Sequence, residues 1–312
     1  MIFTLTPNPS VDRTLNVPEI RFNAVLRSRK IRLDWGGKGF NVSRSLQKFG
    51  IESIVLAWLG GGSGKMLADG LQHLGIQTDF VWVDEDTRTN TLIFENQGDW
   101  HVKVNEPGPS ISSDAIEQMM LKVEGYAKKG DIWILSGSLP PDVPDDFYAN
   151  LIRLLKSHGA QVYLDANGAA LRHGCQTIPF LVKPKAAEAS KVVGFSIDGQ
   201  EDAKRAALPF LRMGIEIFAL TLDTIDLLIA SQREMVFATS PRVTVRNATG
   251  AGDSLMAGLI YGQSKGMNLV EMARWAVATG AASVESEGVS EFDISRVQEL
   301  LPAVDSKTIN VL

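Results

Sequence analysis

One run of small residues ending in a carboxylate, Asn247-Ala248-Thr249-Gly250-Ala251-Gly252-Asp253, carries clear chemical meaning in this chain. It follows an alternating run through Val243 and Val245 that reads as a strand. It opens a helix whose apolar positions are Leu255, Met256, Leu259 and Ile260. Small residues let backbone N–H groups of Gly250, Ala251 and Gly252 crowd an anion, and a helix N-terminus adds partial positive charge. Asp253 is ill-placed to bind phosphate itself. It is well placed to take a proton from a hydroxyl attacking a phosphoryl group held beside it. The plainer alternative is a glycine-rich turn with Asp253 stabilising the first turn of a helix.

A second cluster, Trp35-Gly36-Gly37-Lys38-Gly39-Phe40-Asn41, enters a helix with Phe40, Leu46 and Phe49 toward a core. Lys38 and Asn41, three apart, share one face if the helix begins by Lys38. An ammonium and an amide beside free N–H groups suit a phosphorylated or hydroxyl-rich ligand; a capped helix with a solvated lysine is the alternative. Asp12 lies just beyond the opening strand, in Pro7-Asn8-Pro9-Ser10-Val11-Asp12, where open α/β sheets bind ligands. Arg88 and Arg27 lie where peripheral segments leave the body and would clamp a phosphate, unless they are simply solvated. Gly60-Gly61-Gly62-Ser63-Gly64-Lys65-Met66 suggests a phosphate loop, but Leu59 and Met66 break the required glycine and hydroxyl positions.

These residues need a scaffold, and the pattern supplies one. Strand-like runs at 2–6, 53–58, 131–136, 161–165 and 216–221 alternate with helical patterns at about 40–49, 64–74, 112–128, 145–157 and 200–213. That order predicts a parallel sheet covered by helices. Beyond residue 252 the pattern is mostly helical, with apolar spacing in 269–284 and 293–301. Segments 13–35 and 88–106 break the rhythm. The second reads as a hairpin turning at Asn96-Gln97-Gly98-Asp99. Together they are expected to form a small inserted sheet, serving as a lid over a site or as a dimer surface.

The chain has 312 residues, 45% of them hydrophobic, enough for a large core. A net charge of −5 argues against nucleic acid or an anionic membrane as partner. Cys175 is the only cysteine and the four histidines are scattered, so neither an internal disulfide nor a zinc cluster is expected. No signal peptide or membrane span is read, and a cytoplasmic setting is expected.

Together these motifs, with Thr4-Leu5-Thr6-Pro7-Asn8-Pro9-Ser10-Val11-Asp12 and Ser136-Gly137-Ser138-Leu139-Pro140, resemble the ribokinase-like, or PfkB, family of carbohydrate kinases. The likeness spans nearly the whole chain. It leans toward the branch containing 1-phosphofructokinase, tagatose-6-phosphate kinase and the minor 6-phosphofructokinase. The resemblance implies an α/β fold, a Rossmann-type αβα sandwich with a small β-sheet lid, often dimeric through that lid. It implies transfer from ATP with Mg²⁺ to a hexose phosphate. Asp253 would be the general base, with the N–H groups of Gly250, Ala251 and Gly252 as anion hole. Asp12, Gly37, Lys38, Asn41, Arg88 and, more weakly, Arg27 would hold the sugar phosphate.

The nucleotide half departs from the family pattern. The usual Asn-x-x-Glu reads Lys183-Pro184-Lys185-Ala186-Ala187-Glu188: Glu188, which the family uses to organise Mg²⁺ through water, is kept, and Lys185 replaces asparagine. The usual Ser/Thr-x-Gly-x-x-Gly reads Thr221-Leu222-Asp223-Thr224-Ile225-Asp226, both glycines having become aspartates. Near a polyphosphate, each such unit pair at about 4 Å and an effective dielectric near 20 is repelled by up to roughly 4 kcal/mol. Lys183, Lys185, Thr221, Asp223, Asp226 and Gly252 are the candidate nucleotide residues. Two alternatives stay open beside a sugar-phosphate kinase: a phosphosugar-binding protein with weak or no ATP-dependent activity, and a kinase acting on a bare nucleoside.

Overall fold

The structure is a computed structural model, and residues 1–95, 100–222 and 225–310 are described. Its main sheet runs, edge to edge, Asp305–Asn310, Glu234–Thr239, Asp226–Ala230, Ile217–Leu222, Leu181–Val182, Gln161–Asp165, Ile132–Ser136, Ile2–Thr6, Ile54–Gly60 and Gln77–Thr78. Val81–Val83 also pairs with Ile54–Gly60. From Ile217–Leu222 to Gln77–Thr78 every pairing is parallel; the three strands beyond Ile217–Leu222 are antiparallel.

Continuous apolar runs make these strands because both faces are covered. In Ile132–Ser136, Trp133 and Leu135 pack into one core while Ile134 packs into the other. The first core also holds Trp58, Phe147 and Phe218. The second lies under the helices Ala251–Ser264 and Leu269–Val284. Those two helices approach closely because Gly258 has no side chain: a Cβ there would lie 2.7 Å from Ala276 Cα. Asn268 caps the second helix by accepting from Glu271 N–H at 2.9 Å.

The alternation of strands and helices yields the α/β fold expected. The strand read through Val243 and Val245 is a correction. The Glu234–Thr239 strand ends before Pro241, and residues 240–247 run as irregular chain anchored by Arg246 and Asn247 N–H groups on Val284 O, at 2.7 and 3.2 Å. Proline lacks the donor that ladder pairing needs.

Strands Ser10–Val17, Lys30–Gly36, Thr89–Glu95 and His101–Val104 build a separate four-stranded sheet, ordered Lys30–Gly36, Ser10–Val17, Thr89–Glu95, His101–Val104. Asp12 therefore sits within a strand, not on the proline-rich turn before it. The turn read at residues 96–99 lies outside the described residues.

Candidate active site

The site assembles beyond the carboxyl ends of the parallel strands, beside Ile2–Thr6, where successive strands are added on opposite sides. Strand register brings Asp165 opposite Ser136, and Lys183 follows the adjoining Leu181–Val182 strand, its N–H donating to Leu164 O at 2.9 Å. Asp165 and Lys183 are thus lateral neighbours by construction. Lys183 Nζ meets Asp165 Oδ2 at 2.8 Å, with both side chains almost wholly buried.

Lys38 completes the cluster. It is the first residue of the Lys38–Lys48 helix, which is held over the first strand by Gly39 N–H donating to Thr6 Oγ1 at 3.0 Å. Gly39 is needed for this approach, since a Cβ would lie 2.5 Å from that oxygen. Lys38 Nζ reaches Asp165 Oδ1 at 2.5 Å, so one carboxylate anchors two ammonium groups. Burial alone would raise the Asp165 pKa, but Lys183 and Lys38 outweigh it and hold the carboxyl down at about 2. Burial would lower the Lys38 pKa; Asp165, Glu188 and Asp253 overcome it and raise it above the usual lysine value. Sequence reasoning missed Asp165. The usable signal was its place at the end of a predicted strand.

Asp253 stands in the first turn of Ala251–Ser264, and Asn41 Nδ2 donates to its Oδ2 at 2.8 Å. The chain turns into that helix at Gly250, whose φ of 81° suits glycine. Burial, aided by the like charge of Asp165, raises the Asp253 pKa to about 6 against the opposing pull of Lys38, Asn41 and Lys183. The residue is therefore a carboxylate near neutrality and a stronger base than an exposed aspartate. Lys183 Nζ would lie 3.5 Å from a Cβ at Gly252, which puts a buried cation beside the first-turn N–H groups. Ala251 N–H donates to Ala248 O over a long 3.4 Å.

Asp12 belongs to a neighbouring polar patch. Its Oδ1 accepts from Ser10 Oγ at 2.7 Å and from Asn90 Nδ2 at 2.9 Å. Asp12 and Asn90 line a cavity shared with Asn247 and Thr249, which links this patch to the segment leading to Asp253. Asn41 Oδ1 and Asn90 Oδ1 are buried with no hydrogen-bond partner, two acceptors available to hydroxyl groups. Gly37 borders Thr6 and Phe40 at the start of the Lys38 helix.

The two arginines are placed differently from each other. Arg88 donates to three backbone carbonyls, Nη2 to Asn8 O at 2.8 Å, Nη1 to Glu106 O at 3.2 Å and Nε to Pro9 O at 3.4 Å. It fastens the second sheet to the loop after the first strand. Arg27 is exposed on the 18–29 connection and is not gathered with the others.

The nucleotide candidates lie at the same carboxyl edge. Lys185 bridges to Thr221, whose N–H donates to Pro184 O at 3.3 Å. Lys185 is the N-cap of Ala186–Val193, and Glu188 Oε2 accepts from its N–H at 2.8 Å. Lysine has no acceptor to return, so only half of a capping box forms. Asp226 begins a strand and accepts from Ser240 N–H at 2.8 Å. Asp223 lies outside the described residues.

A three-layered αβα body with a second sheet, a buried aspartate at a helix mouth and paired lysines define a class of phosphoryl-transfer enzyme. A family model for pfkB family carbohydrate kinases matches residues 8–295, and the chain belongs to that family. It is 34% identical over 306 residues to 1-phosphofructokinase of Bacillus subtilis, covering 97% of this chain and 98% of that one. It is 26% identical over 308 residues to tagatose-6-phosphate kinase of Staphylococcus epidermidis, covering 98% and 99%. The structure of Escherichia coli phosphofructokinase-2 in complex with potassium superposes with a TM-score of 0.91 at 26% identity, covering 96% and 98%.

Proposed function

We propose that the protein transfers a phosphoryl group from ATP to a free hydroxyl of a hexose phosphate (fructose 1-phosphate, tagatose 6-phosphate or fructose 6-phosphate), giving a bisphosphate. The observation that carries this reading is Asp253, buried at a helix mouth with a pKa raised to about 6 and facing Lys38 and Lys183. Its Oδ2 is held by Asn41, which leaves Oδ1 to accept the proton of the attacking hydroxyl. Asp12, Asn41 and Asn90 supply acceptors and donors for the sugar's other hydroxyls. First-turn N–H groups and Lys183 offset charge as it builds on the transferring group.

The donor set fits a metal brought in by phosphates, not a preformed cage. Among the described residues no group of three or more potential ligands gathers. Glu188 is the carboxylate that would hold Mg²⁺ there, and its charge is felt by Lys38. When bound, Mg²⁺ would neutralise donor phosphates in a pocket already carrying Asp165 and Asp253. Lys185 and Thr221 border the nucleotide, and the Ser240 contact engages one oxygen of Asp226.

The reading includes a homodimer through the second sheet. Cross-strand rows Ile31–Leu15–Ile93–Val102 and Leu33–Arg13–Thr91–Val104 share one face. Ile31 and Val104 are more than half exposed there. The reading places the protein in the cytoplasm; no helix among the described residues is long and apolar enough to cross a membrane.

Lys185 in place of the family's asparagine favours a second reading, a phosphosugar-binding protein with weak turnover. Coupled ADP release with the three sugar phosphates, alongside calorimetry with ATP–Mg²⁺, separates the two. Turnover supports the kinase. Sugar-phosphate binding without nucleotide binding overturns it.

A further inference from the structure

We propose that Ser45 and Ser254 are positioning residues, a buried hydroxyl pair that seats the helix Ala251–Ser264 against Lys38–Lys48 and so aims Asp253. This rests on the reading of Asp253 as proton acceptor above. Ser45 Oγ and Ser254 Oγ lie 3.1 Å apart, and both residues are wholly buried. Ser254 follows Asp253 directly, and Ser45 stands four residues after Asn41. The Asn41–Asp253 and Ser45–Ser254 contacts are therefore one turn apart on Lys38–Lys48, which makes two points of attachment between the same two helices.

The other side of Lys38–Lys48 repeats the device. Gly39 N–H donates to Thr6 Oγ1 and Ser43 Oγ meets Thr4 Oγ1 at 2.9 Å, again four residues apart, against the strand Ile2–Thr6. Ser53 Oγ also donates to Ser43 Oγ at 2.9 Å. Apolar side chains at 43 and 45 would fill this space without direction. Hydroxyls cost desolvation there and return a bond only over a narrow range of angle and distance. A step of one residue turns an α-helix by about 100°, so no rotated or shifted seating keeps both pairs. The two rows thus carry the register of the first strand to the helix bearing Lys38 and Asn41, and on to the helix bearing Asp253.

The hydroxyl row continues to the turn that opens the second helix. Ser254 Oγ donates to Ser290 Oγ at 3.3 Å. A hydroxyl has one proton to give, so Ser45 is the donor to Ser254. Ser290 is 1% exposed and holds a φ of 56°, uncommon for a residue with a side chain. A Cβ at Gly250 would lie 3.3 Å from its Oγ, so the third hydroxyl rests against the glycine at which the chain turns into the helix. Asp253 is faced by Asp165 and Lys183 from the sheet edge and by Lys38 and Asn41 from the partner helix. Lys38 and Asn41 both favour the charged carboxylate, and both depend on the two helices staying in register. Loss of register weakens their hold and drives the carboxyl's midpoint up.

The test makes two measurements on the full-length protein: coupled ADP release, and an NMR titration of side-chain carboxyls in which Asp253→Asn assigns the Asp253 resonance. Ser254→Ala and Ser45→Ala are each expected to lower kcat roughly 10-fold, with sugar-phosphate KM nearly unchanged and the Asp253 midpoint raised. The double variant should be no slower than either single one, since both break the same contact. Ser283→Ala is the control. It removes a buried hydroxyl bonded to Gly280 O within its own helix, and should leave kcat and midpoint in place whatever it does to Tm. A wild type without turnover whose midpoint still rises in Ser254→Ala sinks the kinase reading and supports this placement. In an active wild type, unchanged kcat in Ser254→Ala overturns it. So does a midpoint that stays or falls, a double variant whose losses multiply, or a Ser283→Ala that shows the same changes.

Discussion

The two sides of the cleft are built on opposite terms. On the body, Asp253, Asn41, Lys38, Asp165 and Lys183 are held by side-chain bonds of 2.5–2.8 Å, all buried but the half-buried Lys38, on regular elements or directly after one. On the second sheet, functional side chains stand on a thin layer whose outer face carries Ile31, Leu33, Val102 and Val104 exposed. The body thus presents charge that is organised before substrate arrives. The sheet presents groups whose final placement depends on what covers and what enters it. Chemistry should fail when the first side is altered, and affinity or assembly when the second is.

The largest effect is expected from Asp253→Asn, which removes the proposed base while keeping its shape. Turnover should fall about 10²- to 10⁴-fold in a coupled ADP-release assay. Stability should move the other way. A native pKa near 6 exceeds the unfolded value, so the native state binds more protons between them. Stability therefore declines as pH rises toward 6, and the charged form remains unfavourable above it. Asp253→Asn should raise stability on the order of 2 kcal/mol at pH 8 and little at pH 4, read from urea unfolding. Equal destabilisation at both pH values would count against the buried charge.

Next comes Lys183→Met. It strands Asp165 in a nearly dry site with half its partners, and unfolding free energy should drop by about 3–5 kcal/mol. Loss of less than a tenth of that would mean Lys38 alone satisfies the carboxylate.

The pH profile is subtler. kcat/KM should rise with pH through about 6 as Asp253 loses its proton. A sugar phosphate's own second ionisation also falls near 6. Asp165→Asn separates them: it removes a like charge and releases two lysines toward Asp253, so the acid limb moves to lower pH. A limb that stays in place belongs to the substrate. On the sheet side, Ile31→Asp should convert dimer to monomer by sedimentation, and unchanged mass would remove that face as an interface.

The smallest effect is expected from Lys185→Asn. It supplies the missing cap acceptor and should raise stability by about 1 kcal/mol. A fall in ATP KM with it would place residue 185 at the donor.

Strands such as Ile54–Gly60 and Ile132–Ser136 were legible because burial on both faces leaves uninterrupted apolar runs. Asp305–Asn310 was not: as an edge strand reading Asp-Ser-Lys-Thr-Ile-Asn, it carries no such signal and is defined by its partner Glu234–Thr239. The helices Gly168–Gln176 and Ala186–Val193 are short and follow polar links, so periodicity did not announce them. In the site, Asp253, Lys38 and Asn41 stand in glycine-rich frames that local spacing reveals. Asp165 and Asn90 matter through partners far along the chain; the end of a predicted strand is all that marks Asp165 locally, and nothing adjacent marks Asn90. Arg88 was legible as a cation but not as a tie to carbonyls, since backbone acceptors leave no mark in composition.

The contact at Gly258 has a consequence for how this enzyme can drift. The helix bearing Asp253 leans backbone to backbone on its neighbour, so a single added methyl at residue 258 acts as a wedge between them. On the proposed reading, such a wedge would tilt the mouth of the helix and misaim Asp253, slowing each cycle. Residues 276–284 of the neighbouring helix are all buried, so tolerance of change along Leu269–Val284 is confined to a few positions near its start, such as the exposed Glu271.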